Sequence, residues 1–409
     1  MVLMGTSESS ALLVAALLAV APLAAQTTAP RDVVVLTSGK ELRGRVVRES
    51  DKEVVLRVGS VDRTLPRKDV RSVDSVATKH RALMQTWLET KVDDPKALLE
   101  LADMADRAGL PHEARLFRWY ALRLRPDDAA IHQALGNRQV QGDWIVKLGS
   151  REAKFREADA AGKDFANAWE LRSEHFTIRC AAGLQAALDT LLALECHYHT
   201  FHDRFGKVVD LLELVEPIDV RLYRDRAQMP NISNTASAYF LPGEPALFTC
   251  WENGRAYAIM HESTHALLHW HFVRAAGSRG DLPAWLDEGW AEYMDGLYDQ
   301  RVPGKPKPRQ GSVQGEHSSR LAASTAQERY GVHRLLNFKA SDFGASSRQD
   351  LKYAQSWALF RFLFESEDTS LRQLFGEYLK QAALGQGQAS TFRRLFTKYL
   401  EKLETEPWK

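Results

Sequence analysis

The chain changes character as the spacing of its apolar positions changes. Ala11 to Ala25 (ALLVAALLAVAPLAA) is an apolar run of 15 residues ending in small side chains. A membrane-spanning helix needs about 20 apolar residues. The core of a secretion signal needs roughly 7–15, followed by a small-residue cleavage site. Residues 1–25 therefore read as an export signal cut near Ala25–Gln26, which places the mature chain in the periplasm, another extracytoplasmic space or the medium. An uncleaved amino-terminal anchor is the other reading, because the first ten residues carry no Lys or Arg. No stable membrane span is expected after cleavage.

From 31 to 77 the apolar runs are short and Val-rich: Val33–Leu36, Glu41–Val47, Glu53–Val58 and Arg63–Leu65. Ser38-Gly39-Lys40, Ser50-Asp51-Lys52 and Gly59-Ser60 separate them, so the pattern predicts strands joined by turns. The layout resembles small SH3-like or Sm-like barrels. Residues 80–145 take on helical periodicity, within a segment assigned to 80–150. Leu101-Ala102 recurs as Leu135-Gly136, with Ala114, Ala121 and Pro126 between them. That spacing resembles a tetratricopeptide repeat, although Arg118 stands where an aromatic is usual. From about 170 the pattern is mixed. Ser173–Cys180 and Ile218–Tyr223 read as strands flanking a long helix over Leu184–Phe205. Ala236–Cys250 reads as strand material interrupted at Pro242-Gly243, and the remainder is mostly helical. Residues 302–320, rich in Pro, Gly and basic side chains, read as an exposed loop. Strands first and helices later predict a multidomain α+β fold.

Composition narrows the function. With 54 basic and 53 acidic residues among 409, the chain lacks the basic surplus of a nucleic-acid binder. Three cysteines exclude a disulfide scaffold. Cys180, Cys196 and Cys250 have no metal-ligand spacing. In an exported protein two of them can pair, or all three can remain buried thiols.

The chemistry concentrates in Tyr257–Phe272 (YAIMHESTHALLHWHF). On an α-helix residues i and i+4 share a face, so His261 and His265 can present two imidazoles to one zinc ion. Glu262 lies beside that face, within reach of a metal-bound water, which is the physical content of HExxH. A catalytic zinc takes three protein ligands and keeps one position open. Glu288, in LPAWLDEGWAEYMDGL (Leu282–Leu297), is the favoured third ligand. Asp281 suits the N-cap and Pro283 the first turn of that second helix. Glu292, one turn on, can fix the orientation of a ligand histidine. His271 is the competing candidate. Its motif requires a glycine at 268, where this chain has Leu268, and Ala266–Phe272 reads as continuous helix.

HExxH followed by Trp285-Leu286-Asp287-Glu288-Gly289-Trp290-Ala291-Glu292-Tyr293 resembles the gluzincin zinc metallopeptidases, the peptidase-MA-like group, over roughly 170–400. The gap of 22 residues between His265 and Glu288 is longer than in the aminopeptidase branch, which is treated as a relative only. The closest likeness is to poorly characterised exported bacterial members with small modules before the peptidase domain. The resemblance implies a zincin-like, thermolysin-type domain over 170–405, one Zn2+ per chain, and peptide or protein substrates. It further implies an oxyanion-stabilising tyrosine opening a helix. Tyr353, in Tyr353-Ala354-Gln355-Ser356-Trp357-Ala358-Leu359, has that position. An extended substrate could add to the strand within Ala236–Cys250 by β-augmentation.

Weaker features complete the reading. His197, His199 and His202 are expected at half-buried positions on the long helix, His197 facing away from His199. Asn231-Ile232-Ser233 is a glycosylation sequon. Glu244 is a candidate anchor for a substrate amino terminus. The amino-terminal modules suggest a protein partner. Two other functions stay open: a catalytically silent or latent binding module, and a zinc hydrolase of a non-peptide substrate.

Overall fold

The computed structural model describes residues 32–230, 238–256, 258–274, 282–298, 305, 308–309, 311–344 and 348–408. The stretch read as an export signal (1–25), the Asn231 sequon, Asp281 and part of the 302–320 segment lie outside them. Among the described residues no helix is long and apolar enough to cross a membrane.

The molecule is α+β. Strands β1 (Asp32–Leu36), β2 (Glu41–Glu49), β3 (Glu53–Val58), β4 (Val61–Pro66) and β5 (Val70–Asp74) form an antiparallel sheet in the order β4-β3-β2-β1-β5. Val34, Val46, Val54, Leu56 and Val70 make its core. Gly44 is needed where β2 crosses β3, since a Cβ there would sit 2.4 Å from the Arg57 carbonyl oxygen.

Helices α1 (Val76–Glu89), α2 (Pro95–Ala108), α3 (Pro111–Leu124) and α4 (Ala129–Ala134) follow. Asp94 caps α2 by accepting from Lys96 and Ala97 N–H, and Gly109 in the left-handed region ends it. The helical run ends with α4 at Ala134, earlier than the expected 80–145. Residues 138–154 form a meander of β6 (Arg138–Val140), β7 (Asp143–Leu148) and β8 (Arg151–Lys154). Gln141 and Gly142, both at positive φ, supply the tight hairpin turn that a helix cannot accommodate. A short helix α5 (Ala158–Ala161) leads out.

The larger sheet contains β9 (Trp169–Arg172), β10 (Phe176–Cys180), β11 (Ile218–Tyr223), β12 (Ala238–Leu241), β13 (Ala246–Glu252) and the short β14 (Arg255–Ala256). Its order is β12-β13-β11-β10-β9, with β10, β11 and β13 parallel and both edge strands antiparallel. The crossover from β10 to β11 is α6 (Leu184–Phe205), whose buried residues include Leu188, Leu191, Glu195, His197 and His199. Sequence pattern places its histidines at half-buried positions; the structure buries His197 and His199 almost completely. The reason is non-local: α1 and α3 pack on one side of α6 and α7 on another.

That packing encloses a polar node. His80 of α1 donates toward His199 Nε2 at 2.7 Å and toward Glu113 Oε1 of α3 at 3.1 Å. Glu195 of α6 accepts from the N–H of His175 at 2.8 Å and from its Nδ1 at 2.6 Å. Arg45 of β2 reaches the Leu214 carbonyl at 2.5 Å and lies 3.4 Å from Glu174. Burial alone would lower the His80 pKa, but the carboxylates of Glu195 and Glu113 override it and raise it from 6.5 to about 9. The stretches read as separate modules therefore share one buried charge network. His80, Glu195 and His199 could also be viewed as metal donors. Their 2.7 Å nitrogen–nitrogen contact matches a hydrogen bond, not two ligands across an ion.

The carboxyl-terminal part is helical: α7 (Ile259–Leu268), continuing into a π-helical turn over His269–Arg274, α8 (Ala284–Asp295), α9 (Gly315–Ala323), α10 (Val332–Leu335), α11 (Ala340–Gly344), α12 (Gln349–Phe364), α13 (Thr369–Ala383), α14 (Ala389–Leu395) and α15 (Leu400–Leu403). Helix α9 occupies part of the segment that reads as an exposed loop. It folds because Leu321 is buried and the helix packs against α12.

Candidate active site

Helix α7 carries His261, Glu262 and His265 on one face. Its first residue follows Ala258, which adopts the left-handed region (φ 44°, ψ 23°) and accepts the Glu262 N–H at 3.1 Å. A non-glycine residue there is strained by about 1–3 kcal/mol, and it turns the chain from β14 directly into the helix. Helix α8 starts after Pro283 and brings Glu288 against α7.

Three donor atoms converge. His261 Nε2 and His265 Nε2 lie 3.1 Å apart. Glu288 Oε2 lies 3.4 Å from the first and 3.5 Å from the second. Tetrahedral zinc at about 2.0–2.1 Å from its nitrogen and oxygen ligands separates them by roughly 3.3–3.4 Å. The triangle therefore has the dimensions of three corners of a zinc tetrahedron. Glu288 Oε2 is buried and makes no hydrogen bond of normal geometry among the described residues, which is costly unless a cation faces it. Burial would raise the Glu288 pKa, but the two imidazoles bring it down to about 2.

The far nitrogens are held too. His265 Nδ1 lies 3.0 Å from Asp287 Oδ1, and His261 Nδ1 lies 3.4 Å from Glu292 Oε1. Carboxylates at these positions fix tautomer and ring orientation in histidine–metal sites. The Glu292 contact is the one expected from its place one turn after Glu288. The sequence pattern alone does not single out Asp287. The available signal was its adjacency to Glu288, since consecutive helical residues point about a quarter-turn apart and can reach two neighbouring imidazoles.

Glu262 lines a cavity of about 620 Å3 together with His261, Tyr353, Arg255, Gln314 and His317. Burial holds the Glu262 carboxyl above the usual carboxylate range, opposed by His261 and His265 and by the Phe240 N–H that bonds to it. Phe240 belongs to β12, the sheet edge beside α7. Tyr353, in the first turns of α12, has its ring centroid 6.4 Å from that of His261. Burial, then Glu288, Glu292 and Glu262, push the Tyr353 pKa upward, so its hydroxyl stays protonated.

Other candidates lie elsewhere. His271 stacks on Phe201 at 5.8 Å and meets His202 edge-on, with neither ring nitrogen hydrogen-bonded among the described residues. It is a core side chain. His197 bridges Thr264 and Tyr298. Glu244 pairs with Arg221. Cys180, Cys196 and Cys250 are buried thiols not joined in disulfides.

A family profile described as "Protein of unknown function (DUF1570)" matches residues 255–384. The match is similarity over roughly a third of the chain, and it spans His261, Glu262, His265, Asp287, Glu288, Glu292 and Tyr353. Curated proteins yield no match.

Proposed function

We propose that the chain is an exported zinc metallopeptidase of gluzincin type. The observation that carries the reading is the donor triangle of His261, His265 and Glu288 beside a cavity into which Glu262 opens. A zinc ion bound there would polarise a scissile carbonyl and lower the pKa of water toward about 7. The remaining roles fall to the chain. Glu262 accepts the proton of the attacking water and delivers it to the leaving nitrogen. The Tyr353 hydroxyl donates a hydrogen bond to the oxygen on which negative charge develops. Asp287 and Glu292 keep the two imidazoles oriented. An extended substrate lies along β12, the last strand of the sheet, where Phe240 brings the strand beside Glu262.

The test is zinc content per chain together with cleavage of a mixed peptide library, for wild type and Glu262→Gln. One zinc in both, with cleavage lost in the variant by about a thousandfold or more, is expected. Absence of zinc removes the metal reading. Zinc without cleavage in the wild type removes the peptidase reading in favour of a binding module or a non-peptide hydrolase.

A further inference from the structure

The segment leading into α9 is docked on the cavity at close quarters. Ser312 is fully buried. Its N–H donates to Glu365 Oε1 at 3.1 Å and its Oγ accepts from Trp357 Nε1 at 3.0 Å. Val313 N–H donates to the Gly296 carbonyl at 3.0 Å. Gly296 permits the approach: a Cβ there would lie 2.3 Å from Ser312 Oγ and 2.8 Å from Gln314 Cγ. One turn further, His317 Nε2 donates to Glu292 Oε2 at 2.7 Å, and its ring centroid lies 5.7 Å from that of Trp357. The other Glu292 oxygen is the one facing His261 Nδ1 at 3.4 Å. Glu292 is thus held between a histidine of the donor triangle and a histidine from a segment 25 residues away in sequence.

From this geometry we propose that His317 is a positioning residue for the metal centre: by holding Glu292 it sets the orientation of His261, so that docking of residues 311–323 governs how firmly the site retains its metal. The inference rests on the metal reading above. A carboxylate bound at one oxygen only can rotate about its terminal bonds, and its grip on an imidazole then weakens. Bound at both oxygens it has a single orientation. Removing a partner one step from a metal ligand typically costs 10–100-fold in affinity, and His317 is two steps away, so about tenfold is the expected upper range.

The experiment uses the full chain as wild type, His317→Ala, His317→Gln, Glu292→Ala and the double variant His317→Ala/Glu292→Ala. Zinc release to a chromophoric chelator is timed, and the visible spectrum of each cobalt(II)-loaded protein is recorded. His317→Ala is expected to speed zinc release several-fold, up to about tenfold, and to shift the cobalt(II) bands. His317→Gln keeps an N–H donor and is expected to remain within about twofold of wild type. In the Glu292→Ala background His317→Ala is expected to add nothing. The proposal is overturned if His317→Ala leaves both release rate and spectrum unchanged, or if its full effect persists without Glu292. A wild type that takes up no zinc or cobalt instead removes the underlying metal reading, a distinguishable outcome.

Discussion

The residue after Glu288 offers a test of how tightly the fold constrains the site. Gly289 is the point at which α8 crosses α12. A Cβ there would stand 2.5 Å from the Ser356 carbonyl oxygen, 2.9 Å from its carbon and 3.3 Å from Phe360 Cβ. The first two obstacles are backbone, so no side-chain rotation relieves them. Ordinary contact is near 3.5 Å, so in Gly289→Ala the two helices must separate by roughly 1 Å. Such overpacking costs about 1–3 kcal/mol, while replacing a mid-helix glycine by alanine returns about 1 kcal/mol. Net stability should fall by ~0–2 kcal/mol. The site is less forgiving. Ligand distances must hold to within about 0.2 Å, and Glu288 rides on the displaced helix. Zinc affinity should therefore fall by about tenfold or more, equivalent to ~1.4 kcal/mol. Competition against a chromophoric chelator measures the affinity, and calorimetry of metal-free and zinc-loaded protein measures the stability. The reasoning is refuted if Gly289→Ala binds zinc as the wild type does and melts higher, since the helix-propensity gain would then act unopposed.

Two further outcomes follow from the same geometry. Asp287→Asn should keep the fold while lowering zinc affinity by about 10–100-fold, read by the same competition; unchanged affinity would show that Asp287 does not orient His265. The buried node predicts a pH dependence. The folded pKa of His80 is raised from 6.5 to about 9, so its stabilisation is complete below 6.5 and is lost as pH rises toward 9. Glu195, lowered from 4.5 to about 2 despite its burial by His175 and His80, contributes above 4.5 and loses its contribution as pH falls toward 2. The melting temperature should decline between pH 6.5 and 9 in the wild type and decline less steeply in His80→Gln; parallel curves would exclude His80 as the titrating group.

Much of this protein is written locally. The i,i+4 spacing of His261 and His265 places both imidazoles on one face of any helix that forms there, because 3.6 residues complete a turn. The β12–β13 hairpin follows from its apolar runs and the break at Pro242-Gly243, and the parallel strands around α6 follow from the alternation of strand and helix patterns. Glu288 and Glu292 are legible as one face of α8 for the same periodic reason. What periodicity cannot state is which face meets which partner. The helix α6 shows a pattern compatible with partial exposure, and only the arrival of α1 and α3 from one side and α7 from another buries His197 and His199. Asp287 becomes meaningful once α8 lies against α7. His317 sits in a stretch whose prolines, glycines and basic residues describe a loop, and it reaches the site because Gly296 lets that stretch come within contact of α8. Turn chemistry, strand runs and the HExxH pair depend on neighbours a few residues apart. The closing of the triangle by Glu288, the outer carboxylates and the buried His80–His199 contact join residues 22 to 119 positions apart, and those distances are set by packing rather than by local sequence.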